Sequence, residues 1–181
     1  MFNPDRYPVP LPRLLPVHSK MSYAFCDMQM LREASGQYVI KEFSIYDPYF
    51  NKSYTEIFAP PYPADWLPPK QRKQNDYITK RIHGITWEQG TLPYSECHDY
   101  IKMVTSIYAD LYVEGDEKRA ILQNIVSHAR ITDIGVLGCP RLDTLPKLPF
   151  SDLNSKSMHS SLSCAEQNAQ RIGVWFEHQL L

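Results

Sequence analysis

Between Met21 and Pro60 the chain sets three strand-like runs back to back, and everything after them alternates helical with extended patterning. That order leaves few folds open. The first run, Tyr23–Met30, is almost unbroken apolar sequence and ends near the turn signal Glu33-Ala34-Ser35-Gly36. The second is Gln37–Tyr46, and the third, Ser53–Ala59, stops at Pro60-Pro61. Links this short predict an antiparallel meander. Residues 61–81, rich in proline and polar side chains, predict an irregular excursion with a helical turn, and Ile82–Trp87 a small extended or turn element. Thr91–Ile107 predicts a helix that begins after Pro93, Asp110–Val113 a short strand, and Glu117–His128 a helix with Ala120, Ile121, Ile125 and Val126 on its apolar face. Ala129–Ile134 reads as a further strand, 138–158 as a long loop broken by Pro140, Pro146 and Pro149, and Ser163–Leu181 as a closing helix. The expected class is α/β: a mixed sheet with three antiparallel strands, then two parallel, flanked by helices.

A chain of 181 residues suits one domain with a proper core. Residues 1–20 carry Pro4, Pro8, Pro10, Pro12 and Pro16, too many for helix or inner sheet, so they read as an extended arm preceding a domain over 21–181. The arm is either disordered or laid across the domain or a partner, and Val9, Leu11, Leu14 and Leu15 favour packing. A net charge of −1 argues against a protein that coats nucleic acid, while leaving room for a local basic patch. No apolar run approaches the length of a membrane span, and the N-terminus lacks the basic-then-apolar pattern of a leader. Cys26, Cys97, Cys139 and Cys164 are scattered, which predicts reduced thiols and a cytoplasmic or nuclear location.

Chemistry concentrates on the first strand. Asp27 and Gln29 are two apart, so their side chains share a face. Two carboxylates there would begin a divalent-metal site; Asp-x-Gln keeps the geometry and removes one charge. A buried Asp also has a plain structural reading, as a group satisfied by hydrogen bonds. A second feature is the basic run Lys70-Gln71-Arg72-Lys73 followed by Lys80-Arg81, with Tyr77 and Trp87 nearby as rings for base stacking. Its competing reading is a solvated loop.

The element order, with Asp-x-Gln on strand one, resembles the DnaQ-like (DEDDh-type) 3′–5′ exonucleases of the ribonuclease H-like superfamily, over roughly residues 22–180. Ile82-His83-Gly84-Ile85-Thr86-Trp87-Glu88 looks like their hGIT-x-E element, and Asp110-Leu111-Tyr112-Val113 with the following helix is similar to their second acidic motif. His159, five residues before Cys164, matches the spacing of their final His-to-Asp motif. The resemblance implies an RNase H-like sheet and four carboxylates holding two magnesium or manganese ions, with a histidine helping to deprotonate the attacking water. Carried over position by position, Asp27 matches the first acid, Gln29 replaces the second, Lys118 falls in the third slot, Cys164 in the fourth, and His159 is kept. Asp116 and Glu117 lie within a register error of the third slot, and Asp133 is a further carboxylate on the last strand. Magnesium asks for hard anionic oxygens, which an amide, an ammonium and a thiol do not provide.

A narrower resemblance is to the Maelstrom domain, an animal DnaQ-like branch of small-RNA transposon silencing that carries a Glu-Cys-His-Cys zinc set. Glu42, His159 and Cys164 fit three of those ligands; the expected first cysteine is Lys156, and Cys139 is the candidate replacement. Together these imply a degenerate exonuclease-like domain without a resident cofactor, or with zinc. It is expected to bind single-stranded nucleic acid, RNA in preference, or a protein through the arm or the old substrate groove. The alternatives are an active exonuclease using Asp27 with Asp116, Glu117 or Asp133 and His159, and a pure adaptor working through its proline-rich arm.

Overall fold

The computed structural model describes residues 22–148 and 163–181. The proline-rich arm, Lys156 and His159 lie outside them. Five strands form one sheet: β1 (Tyr23–Arg32), β2 (Tyr38–Asp47), β3 (Lys52–Ile57), β4 (Asp110–Val113) and β5 (Arg130–Asp133), in the order β3-β2-β1-β4-β5. β1 pairs antiparallel with β2 and β2 with β3, while β4 runs parallel to both β1 and β5. This is the α/β mixed sheet expected from the pattern of the sequence.

Central position explains the composition of β1. Ala24, Cys26 and Met28 face one cluster, with Tyr100, Ile101, Leu122 and Ile125, and Phe25 faces another with Ala169 and Ile172. A strand covered on both faces has to be apolar along its length. The covering helices are α2 (Cys97–Thr105), α3 (Asp116–Ile125) and α4 (Ala165–Gln179). Two of them are shorter than their periodicity predicts. Pro93 starts a 3-10 turn over Tyr94–Glu96, so α2 begins only at Cys97. Val126 is already extended (φ −108°, ψ 115°), which ends α3 before the apolar pattern does.

Residues 61–81 depart most from expectation. They hold a ten-residue helix, α1 (Pro69–Ile78), where only a helical turn was predicted. The reason is tertiary. β4 pairs with β1 only as far as Cys26, which leaves the distal edge of β1 unpaired by a strand. Asn75 of α1 supplies what a neighbouring strand would: its Oδ1 accepts from the Arg32 N–H at 2.7 Å and its Nδ2 donates to the Arg32 carbonyl at 2.8 Å.

On the opposite face α4 crosses β1 and β2 at Gly173. A Cβ there would lie 2.8 Å from the Tyr46 ring and 3.0 Å from that of Phe25. Gly173→Ala is therefore expected to lower stability by about 1–3 kcal/mol through overpacking, despite alanine's better helix propensity. Urea unfolding of the variant checks this, and a stabilised variant would show that the helix has room to move away.

Candidate functional site

The centre of the site is Asp27, 1% exposed in mid-β1. Each carboxylate oxygen is occupied by a protein donor. Lys118 Nζ of α3 donates to Oδ1 at 2.5 Å, and Asn168 Nδ2 of α4 donates to Oδ2 at 2.8 Å. Gln29 Nε2 reaches Oδ2 at 3.5 Å and gives a shorter bond, 2.8 Å, to Ser163 Oγ. Asn168 also donates to Ser163 Oγ at 3.0 Å. The cluster contains one anion, one cation, two amides and a hydroxyl, all hydrogen-bonded. It is a salt bridge with a neutral collar rather than a ring of acids.

Three of the positions singled out in the sequence thus come together: Asp27, Gln29 and Lys118. Cys164 does not join them. It precedes the first turn of α4 beside Glu42, and the residue that reaches Asp27 is Asn168, one helical turn on. Helical spacing was the available signal for Asn168: a side chain four residues further on shares the face. The alternative acids do not join the cluster. Asp116 is exposed and pairs with Arg119 at 2.7 Å, Glu117 is exposed, and Asp133 Oδ1 accepts from the Gly115 and Gly135 N–H groups at 2.9 Å each.

Two metal sets can be tested against these contacts. A magnesium pair does not fit, because the single carboxylate at the centre has both oxygens committed to an ammonium and an amide. The zinc set does not fit with Cys139 in it. Among the described residues no three His, Cys, Asp or Glu side chains group around a common point. Glu42 Oε2 accepts from Ala165 N at 3.0 Å near Cys164, but Cys139 packs against the Phe25–Tyr46–Ile134 cluster with Glu114 and Asp133 as its charged neighbours. Burial, reinforced by Glu42, pushes the Cys164 thiol up to about 12. Purified protein is expected to carry less than about a tenth of an equivalent of zinc. Elemental analysis near one equivalent would restore the zinc reading.

The hGIT-x-E stretch serves as a clasp. His83, 1% exposed, accepts the Ile85 N–H at Nδ1 (3.0 Å) and lies 3.1 Å from the Met30 carbonyl through Nε2. Since a backbone N–H can only donate, Nδ1 is the acceptor and the ring proton sits on Nε2, facing Met30. Gly84 follows in the left-handed region (φ 76°), and Glu88 Oε1 accepts from Ala64 N at 2.8 Å. Trp87 is not a stacking surface: it is 6% exposed, packs against Leu31, Val39 and Leu67, and donates to the Tyr62 carbonyl.

Lys41 went unnoticed in the sequence. The β1–β2 register changes from Gln29 opposite Glu42 to Met30 opposite Ile40, so Lys41 is the extra residue of a β-bulge. The bulge aims its fully buried side chain inward, where Nζ donates to the carbonyls of Phe58, Trp87 and Gln89 at 2.7 Å each.

The basic run divides in two. Lys70, Lys73 and Tyr77 lie on one face of α1 and, with Arg32, Tyr38, Gln74 and Ile78, line an open cleft of about 460 Å³. Arg72, Lys80 and Arg81 are exposed but do not line it. No helix among the described residues is long and apolar enough to cross a membrane. No known family model and no curated protein matches this chain.

Proposed function

We propose that this chain is a catalytically degenerate, exonuclease-like domain of ribonuclease H-like descent that associates with nucleic acid, RNA in preference, without hydrolysing it. The observation that carries the reading is the Lys118 ammonium, 2.5 Å from Asp27 at the centre of a sheet ordered β3-β2-β1-β4-β5. A fixed positive charge there does electrostatically what a bound cation would do for Asp27. It offers no open coordination position to polarise a phosphate or to generate hydroxide. Asn168 and Gln29 complete the substitution with neutral amide donors. Such a centre suits holding the fold together, and leaves the surface, including the α1 cleft, for binding.

The test is to incubate the protein with labelled single-stranded RNA and DNA in magnesium or manganese. The expected result is no shortening, with retention of the strand that weakens as salt rises. Shortening that disappears in Asp27→Ala would overturn the reading in favour of a nuclease. Absence of retention at low salt would overturn it in favour of a protein adaptor.

A further inference from the structure

The cleft between α1 and the β1–β2 turn combines charge and ring surface in a way that selects one kind of ligand. Three cations line it, Arg32, Lys70 and Lys73, and no acid does, although the chain as a whole carries a net charge of −1. The charged side chains of the lining are therefore all cationic. Two rings share the lining. Tyr77 is 64% exposed, and Tyr38 is covered by the Arg32 guanidinium, whose Cζ lies 3.6 Å from the ring centroid. Arg32 is held in that pose by bonds to the Gly36 carbonyl (2.9 Å) and the Tyr38 hydroxyl (2.5 Å). Asn75, on the same helix, anchors α1 to the Arg32 backbone, so the two walls are fixed relative to each other.

We infer that this cleft seats one nucleotide of a single-stranded nucleic acid, with its base on Tyr77 and its flanking phosphates on Lys70 and Lys73. The inference rests on the nucleic-acid reading above and gives that reading an address. Phosphate alone would need the lysines but not an exposed ring. Single strands present both a π-face and a phosphate at each step, and alternating cation and ring is how proteins hold them. The volume, about 460 Å³, lies within the range of small-ligand clefts, about 300–1,000 Å³. The site is separate in its residues from the Asp27 cluster, so binding here needs neither a metal nor the old catalytic centre.

The experiment is fluorescence anisotropy of the full chain with a fluorescein-labelled twelve-residue oligo-uridylate, repeated at several salt concentrations. Tyr77→Ala is expected to weaken binding roughly 5- to 150-fold, the usual range for a base–aromatic stack. The double variant Lys70→Gln/Lys73→Gln is expected to flatten the slope of log affinity against log salt by about 1.4. A charge-matched control, Lys52→Gln/Lys102→Gln, removes two exposed cations from other faces and is expected to leave the slope unchanged. All these side chains are exposed or at the cleft rim, and circular dichroism verifies that each variant is folded. Binding that persists unaltered in the cleft variants, or falls equally in the control, overturns the cleft while leaving the nucleic-acid reading intact. No anisotropy change with any strand at low salt overturns both.

Discussion

Replacing Lys118 with methionine is expected to destabilise the fold by about 3 kcal/mol, because it leaves the Asp27 carboxylate buried without its cation. The side chains are 20% and 1% exposed, so solvent screens the pair only partly. Asn168 and Gln29 still donate to Oδ2, which limits the loss, but Oδ1 is left with no described partner. The double variant Asp27→Asn/Lys118→Met removes the charge that the single variant strands. It is expected to recover at least about 1 kcal/mol relative to the sum of the single effects. Urea unfolding of parent, both single variants and the double variant measures this directly. If Lys118→Met unfolds within about 0.5 kcal/mol of the parent, the pair is a surface contact rather than the keystone of the site.

Lys41→Met is the second large effect. It is nearly isosteric, yet it strips the donor from three carbonyls, those of Phe58, Trp87 and Gln89. Those groups sit where the 85–92 segment joins the end of β3, at the Phe58–Leu92 bridge. Leaving them unsatisfied is expected to cost about 2–4 kcal/mol at pH 7, after allowance for the charge no longer buried. The same lysine makes a signed prediction about pH. Burial pushes its ammonium from 10.5 down to about 8, with Glu88 acting in the opposite direction. Between those values the unfolded chain binds the proton and the folded chain does not, so this group's contribution to stability rises with pH. The parent's advantage over Lys41→Met is expected to grow by about 2 kcal/mol from pH 7 to pH 9.5. Thiols and tyrosines raised by burial titrate in both proteins and cancel in the difference. An advantage that shrinks with pH would mean the ammonium is held charged more strongly than burial opposes it.

Much of this architecture is legible in the sequence, for a reason visible in β1. A central strand must be apolar on both faces, and Tyr23–Met30 announces that over a few adjacent residues. β4 is equally legible, and matches its predicted span of Asp110–Val113. α1 is not legible. Its sequence, PKQRKQNDYI, lacks an apolar stripe, and its one buried side chain is Asn75, a polar residue satisfied by a strand edge more than forty positions earlier. Trp87 shows the opposite failure. A ring beside a basic run looks available for stacking, and only the packing of Leu31, Val39 and Leu67 around it reveals a core residue.

The candidate site divides along the same line. That strand one carries a single acid, with an amide two residues on, is a property of adjacent residues and needs no fold to see it. That Lys118 and Cys164 would stand in the next two slots is what the resemblance implies. Which groups fill the space around Asp27 was decided by tertiary structure: Lys118 arrives from 91 residues away and Asn168 from 141. Hydrophobic periodicity is a local signal, so the sequence alone determined the order of the five strands and of α2, α3 and α4, and the single acid on β1. Contacts across such separations depend on how α3 and α4 settle on the two faces of the sheet. Only there does Asp27 become one half of a buried ion pair, held by Asn168 rather than by Cys164.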